Sequence, residues 1–225
     1  MGQALTRALR QLYEHSWRLL VLNVAVASVA LAAGVAIVAV GAPALLLLLV
    51  LVGPFLMALM HCAVTLQQTG ELRLADGLAG LRLHWRRGLA LGVLAAAAVV
   101  LIVVSVAFWS DRGAAALPLT VLAIYVAAMF AVWQVHLWPL AVVRSETRFG
   151  DVLREAGLAL ARRPLASCAL AGTLLLVNAV GAIGVLPVLT FTLAYSALAA
   201  AHFALPEPEP AEEVSPVWPA SPSTM

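Results

Sequence analysis

The chain contains no lysine, and no aspartate or glutamate interrupts any of its long apolar runs. Charged residues make up 11% of it and aromatic residues 7%. A soluble domain carries about 25% charged residues, because its surface has to be covered with polar groups. So little charge excludes soluble enzymes and nucleic-acid binders. Cysteine is almost missing as well. Cys62 and Cys168 both sit in apolar sequence, which excludes a disulfide framework and a cysteine metal motif. No HExxH, GxSxG, Walker or dinucleotide-binding glycine pattern is present, so no enzyme activity, cofactor or metal is expected.

What fills the 225 residues is apolar: 64% are hydrophobic and the mean hydropathy is +1.02. The expected fold is an all-α membrane protein. A bilayer core takes about 20 apolar residues per helix, and the runs predict six transmembrane helices at about 19–40, 44–64, 89–109, 117–143, 165–181 and 186–205. The last two come from one run of about forty residues, too long for a single tilted span. Its Gly181-Ala182-Ile183-Gly184-Val185-Leu186-Pro187 segment supplies a turn. The first run is longer than the 7–15 residues of a signal-peptide core, and reads as a true span. Met1-Gly2-Gln3-Ala4-Leu5-Thr6 fits the myristoylation pattern, a coincidence in a bacterial chain. Bacterial origin is itself read from 13 arginines without a lysine, the mark of a GC-rich genome.

Six spans put both termini on one side, and arginine chooses the side. Twelve of the 13 fall with the termini, leaving Arg112 opposite. The termini are therefore expected in the cytoplasm and the protein in the bacterial cytoplasmic membrane. Trp17, Trp85 and Trp138 mark the inner boundary and Trp109 the outer one. Three polar stretches carry helical apolar stripes: Leu5, Leu9, Leu12 and Tyr13; Leu74, Leu78, Leu81 and Trp85; and Phe149, Val152, Leu153, Ala156 and Leu160. Each predicts an amphipathic helix along the cytoplasmic face. The second and third share Glu-x-Arg-x-x-Asp-x-Leu, from Glu71 to Leu78 and from Glu146 to Leu153, offset by 75 residues. Arg86-Arg87-Gly88 and Arg162-Arg163-Pro164 follow. His15-Ser16-Trp17-Arg18 and His84-Trp85-Arg86 extend the series to the first unit. The architecture read from this is three transmembrane hairpins, each preceded by an amphipathic helix. From Pro206 the chain turns acidic and proline-rich, with six Pro and four Glu in its last twenty residues, and a disordered cytoplasmic tail is expected over 206–225.

Polar groups inside a bilayer are costly and mark candidate sites. Asn23, His61, Gln134, His136 and His202 fall at one depth, in the cytoplasmic third of their helices. They are expected to bond one another across helices, imidazoles bridging Asn23 and Gln134, without holding a metal. Asn178 and Thr192 lie deeper and Tyr125 nearer the outside. Ser105, Ser196 and Cys168 are nucleophile types without a hydrolase motif. Arg18, Arg86, Arg87, Arg162 and Arg163 are expected to contact anionic lipid.

In four segments the chain resembles the YesL-like bacterial integral membrane proteins, a domain of unknown function. These are Leu12-Tyr13-Glu14 through Asn23; Gly70-Glu71 with His84-Trp85-Arg86-Arg87; Leu137-Trp138-Pro139-Leu140; and Arg154-Glu155-Ala156 through Arg163-Pro164-Leu165. The resemblance spans about Ala4 to Leu205. It implies a non-enzymatic accessory or assembly partner of a carbohydrate-uptake ABC transporter, with membrane lipids and sugar permease subunits as partners and no nucleic acid. Arg154-Glu155-Ala156-Gly157 also resembles the coupling loop of ABC permeases, without its downstream spacing. The alternative is a small transporter with a polar site between its helices.

Overall fold

The computed structural model describes residues 2–40, 42–110, 112, 116–184 and 191–206, with side-chain surroundings given outside 27, 30–34, 36–40, 42–49 and 182–184. Among the described residues the chain is all helical, with eight helices and no strand. They are α1 (Gly2–Glu14), α2 (Ser16–Val40), α3 (Ala42–Thr69), α4 (Leu74–Ser110), α5 (Leu117–Val143), α6 (Phe149–Arg162), α7 (Pro164–Gly184) and α8 (Leu193–Ala204).

Four segments are long and apolar enough to cross a membrane: Val50–Thr69, Leu74–Ser110, Leu117–Val143 and Pro164–Gly181. This fits an integral membrane protein. The runs expected at 19–40 and 186–205 give shorter described stretches, Ser16–Val26 and Leu193–Ala204. Of the turn expected at 181–187, residues 181–184 instead continue α7 as helix, and 185–187, like the tail from 207, lie outside the described residues.

Two expectations are corrected. The amphipathic stretch before the third span is not a separate helix: α4 runs unbroken for 37 residues, about 55 Å at 1.5 Å per residue. The corresponding stretch of the third unit does end, and α6 and α7 are distinct. The cause is one residue. Gly88 follows Arg86-Arg87 and continues a helix, whereas Pro164 follows Arg162-Arg163. Proline lacks the N–H and pushes its predecessor out of the helical region, so it suits only a helix start. Arg163 accordingly sits at φ −140°, ψ 57°.

In the last hairpin α8 packs on α1, α2, α3 and α5, and α7 on α5 and α6, while Asn178 of α7 bonds Ser196 of α8. Alanine explains this. Ala194, Ala197, Ala199, Ala200 and Ala201 are buried, and small side chains let a helix occupy the bundle centre. The second correction concerns two of the amphipathic stretches, α1 and the first part of α4, which turn a different face inward than their leucine stripes suggested, whereas α6 buries Val152 and Ala156 of its expected stripe. In α1 the buried line is Ala4, Ala8 and Leu12, while Leu9, Tyr13 and Trp17 remain exposed. In α4, Leu78 and Trp85 are exposed and Gly77, Gly80, His84, Gly88 and Gly92 are buried.

That small-residue face makes a close crossing between α3 and α4. A Cβ added at Gly53 would overlap the Gly88 carbonyl, and one added at Gly88 would lie 2.5 Å from Pro54 Cα. Only glycine lets two backbones approach so closely. The α3–α4 link turns at Gly70, with φ +72°, whose N–H donates to the Leu66 carbonyl.

Candidate functional site

The expected polar layer is divided among separate helix pairs. His61 on α3 meets His84 on α4, Nδ1 to Nε2 at 3.3 Å with ring centroids 5.1 Å apart. His136 on α5 meets Ser167 on α7. The Ser167 hydroxyl donates to the Arg163 carbonyl at 2.8 Å, so it accepts from His136 Nε2 at 2.8 Å. His202 on α8 donates to Gln11 Oε1 on α1 at 2.8 Å. Asn23 on α2 accepts the Ala194 N–H at 2.9 Å. Thr192, which precedes α8, makes no side-chain cap, and the Asn23 side chain ties the start of α8 to α2. Gln134 joins none of these. Both of its amide atoms are buried without a hydrogen-bond partner. The expected bridging of Asn23 and Gln134 by imidazoles is therefore replaced by four fastenings between different helices.

None of the four partners, His84, Ser167, Gln11 and the Ala194 N–H, was singled out from the sequence as part of the layer. His84 and Ser167 belong to polar stretches and helix starts, and their burial follows from the close α3–α4 approach and the α6–α7 break. Asn178, noted for depth alone, bonds Ser196 at 2.7 Å and the Leu174 carbonyl at 2.8 Å. The His136–Ser167 pair has the composition of a nucleophile and base. Yet Ser167 is fully buried and spends its proton on a backbone carbonyl, which makes it a strut.

Among the described residues no three His, Cys, Asp or Glu side chains come together to hold a metal ion. The cavities have apolar walls. One of about 200 Å³ lies among α3, α5, α7 and α8, with Leu56, Met60, Trp138 and Leu174 in its walls and Gln134 and Ser196 beside them. Another, of about 530 Å³, lies between α5 and α7 and includes Tyr125, Cys168 and Asn178.

The five arginines expected at lipid divide. Arg86 and Arg18 stack over Trp85 and Trp17, at 5.3 and 5.2 Å from the ring centroids. Arg18 also donates to the Leu72 carbonyl at 2.6 Å. Arg87 reaches the carbonyls of Ala141 at 3.3 Å, Arg144 at 2.8 Å and Thr147. Arg18 and Arg87 thus have partners within the protein itself. Each ties the linker that leads into the next unit. Leu72 and Thr147 stand 75 residues apart, the offset of the repeated motif, and each lies two residues ahead of a helix start, Leu74 or Phe149. Arg162 and Arg163 are exposed, and their guanidinium groups have no hydrogen bond or ion pair among the described residues. Arg112 lies 3.9 Å from the centroid of Phe108.

Comparison with family models, curated proteins and solved structures gives no match.

Proposed function

We propose that the protein is a non-enzymatic accessory or assembly partner of a carbohydrate-uptake ABC transporter, a member of the YesL-like group. It crosses the bacterial cytoplasmic membrane six times, as three hairpins with both termini inside. The observation that carries this reading over a transport function is the fate of the polar layer. His61, His136, His202 and Asn23 are each engaged in joining a different pair of helices, and the cavities between helices are walled by apolar side chains. A solute path needs convergent polar groups at mid-membrane. A scaffold needs firm helix contacts and an outer surface for lipid or partner. The outer halves of α4 and α5 offer such a surface through Leu101, Val103, Val104, Leu122 and Ile124, all exposed.

The test is a deletion strain assayed for uptake of several sugars, together with affinity purification of the intact protein. A sugar permease subunit recovered in stoichiometric amount, with slowed uptake in its absence, supports the accessory reading. Solute movement by the purified protein alone in liposomes sinks it. One observation favours the second reading, a small transporter: the unpaired Gln134 carboxamide at the wall of the α3–α5–α7–α8 cavity.

A further inference from the structure

α5 and α7 leave between them a groove open to the outside of the bundle. Its walls run from Tyr125 to Val135 on α5 and from Cys168 to Asn178 on α7, about 15 Å along each helix at 1.5 Å per residue. The groove holds about 530 Å³, and Tyr125 and Leu175 at its sides are exposed. It shares two wall residues, Val135 and Leu174, with the cavity of about 200 Å³ among α3, α5, α7 and α8. Gln134 belongs to the wall of that smaller cavity. Among the described residues its carboxamide oxygen and nitrogen are both buried and both without a hydrogen-bond partner. Gln134 also lies well inside Leu117–Val143, a segment long and apolar enough to cross a membrane, where an unanswered polar group is costly.

We propose that groove and cavity together bind one long-chain primary alcohol, with its chain between α5 and α7 and its hydroxyl on the Gln134 carboxamide. The chemistry of the walls selects this class. Among the described residues neither wall contains Arg, His, Asp or Glu, so a phosphate or carboxylate head would enter without a counter-charge. An ester or ketone only accepts, and would leave the Gln134 Oε1 unpaired. A hydroxyl donates to Oε1 and accepts from Nε2, and it is the smallest uncharged group that answers both. Asn178, at the far end of the groove, is a poorer anchor. Its Nδ2 is spent on the Leu174 carbonyl at 2.8 Å and the Ser196 hydroxyl at 2.7 Å, which leaves only its Oδ1. A single groove takes a single chain, which excludes a two-chain diacylglycerol. The site goes beyond the accessory reading and uses none of the four helix fastenings on which that reading rests.

The test uses the full chain in phosphatidylcholine nanodiscs and hexadecanol carrying a photoactivatable diazirine in its chain. Illumination should label peptides that cover 125–135 and 168–178, and plain hexadecanol should compete. Hexadecane, and hexadecanoate at alkaline pH, should each compete about tenfold less well, lacking the two hydrogen bonds or bringing an unpaired charge. Gln134→Met keeps the length of the side chain and removes both polar atoms. It should cut labelling about fivefold to tenfold, the loss of two hydrogen bonds of the strength found in membranes. Thr173→Ala, on α7 but in neither wall, should leave labelling unchanged. Gln134→Met removes only unpaired polar atoms, so without alcohol it should melt no lower than the wild type, and hexadecanol should raise the melting temperature of the wild type alone. Hexadecane competing as well as hexadecanol marks a groove for any chain and overturns the proposal. Hexadecanoate competing better overturns it too, by showing a charged head. Labelling indifferent to Gln134→Met leaves the carboxamide to water and has the same consequence. If that variant melts below the wild type, the competitor comparison in the wild-type chain decides by itself.

Discussion

The close crossing of α3 and α4 gives a quantitative test in Gly88→Ala. The new Cβ would lie 2.5 Å from Pro54 Cα, 2.8 Å from Pro54 N and 3.0 Å from the Gly53 carbonyl oxygen. All three are backbone atoms, so no side chain can rotate aside. Carbon atoms pack best at about 3.5–4.0 Å, and the helices must part by about 1 Å along much of their contact. Overpacking of this kind costs about 1–3 kcal/mol. Alanine returns up to about 1 kcal/mol through its better helix propensity, leaving a net loss of about 1–2 kcal/mol. For a chain of this size each kcal/mol moves the melting temperature by about 2–4 °C. Gly172→Ala is the internal control, since a Cβ there meets nothing within 4 Å. It should gain about 0.5–1 kcal/mol. Thermal unfolding in one detergent, followed by circular dichroism, should move the two variants in opposite directions. Equal or greater stability of Gly88→Ala than of Gly172→Ala would refute the close backbone approach.

Three further predictions rest on the fastenings. His136→Phe removes the bond to Ser167, whose hydroxyl keeps the Arg163 carbonyl, so the loss should be about 0.6 kcal/mol, the average for an interhelical hydrogen bond in a membrane protein; a melting temperature lowered by 10 °C or more would show that the pair does more than join α5 to α7. Arg87→Gln removes donors from three carbonyls around the α5–α6 link and should raise tryptic cleavage at Arg144 and Arg148 about tenfold, given about 1.5 kcal/mol for a charge-assisted bond, while Arg86→Gln leaves cleavage unchanged; equal rates in both variants would remove Arg87 from that role. For the six-span reading, cysteines at Ala42, Gly113 and Gly184 should react with an impermeant thiol reagent added to intact cells, and cysteines at Ala79 and Gly150 should not; labelling at 79 would invert or shorten the topology. Position 79 is preferable to the neighbouring Gly80, where any side chain would press on His61.

What could be read from the sequence was what depends on period and run length. The helical class, the starts of α4 and α6 after Arg73 and Arg148, and the repeat of their motif all belong to the chain taken locally. The motif has a visible local task in its first copy, where the Asp76 carboxylate accepts the Arg73 N–H at 2.7 Å and caps the beginning of α4. The inward face could be read for α6, which buries Val152 and Ala156 of its stripe, and could not for α1 and the first part of α4. A leucine stripe beside a charged face predicts burial of the leucines in water. Beside a bilayer the rule weakens, because lipid accepts leucine as readily as a neighbouring helix does, and close packing is won by small residues. Hence Leu9 and Leu78 face outward while Ala8 and Gly80 face in. The sequence signal for this was present, in Gly80, Gly88, Gly92 and Ala96 at intervals of four and eight residues.

The polar layer fails as a unit for a related reason. Depth along a helix fixes how far a residue lies from the membrane surface and leaves its azimuth free. Residues at equal depth on different helices meet only if their faces converge, and the faces here were set by glycine and alanine contacts. His61 faces α4 because Gly80 leaves room for its ring. His136 faces α7 because Pro164 starts that helix where Ser167 lands opposite. Arg18 and Arg87 obey a different constraint. They sit where α2 and the apolar part of α4 begin, and the nearest unsatisfied acceptors there are the carbonyls of helix ends and linkers. A guanidinium with five donors is suited to collect several at once, as Arg87 does. Arg18 and Arg87 thus bind each unit to the next, whereas each histidine fastens a single pair of helices.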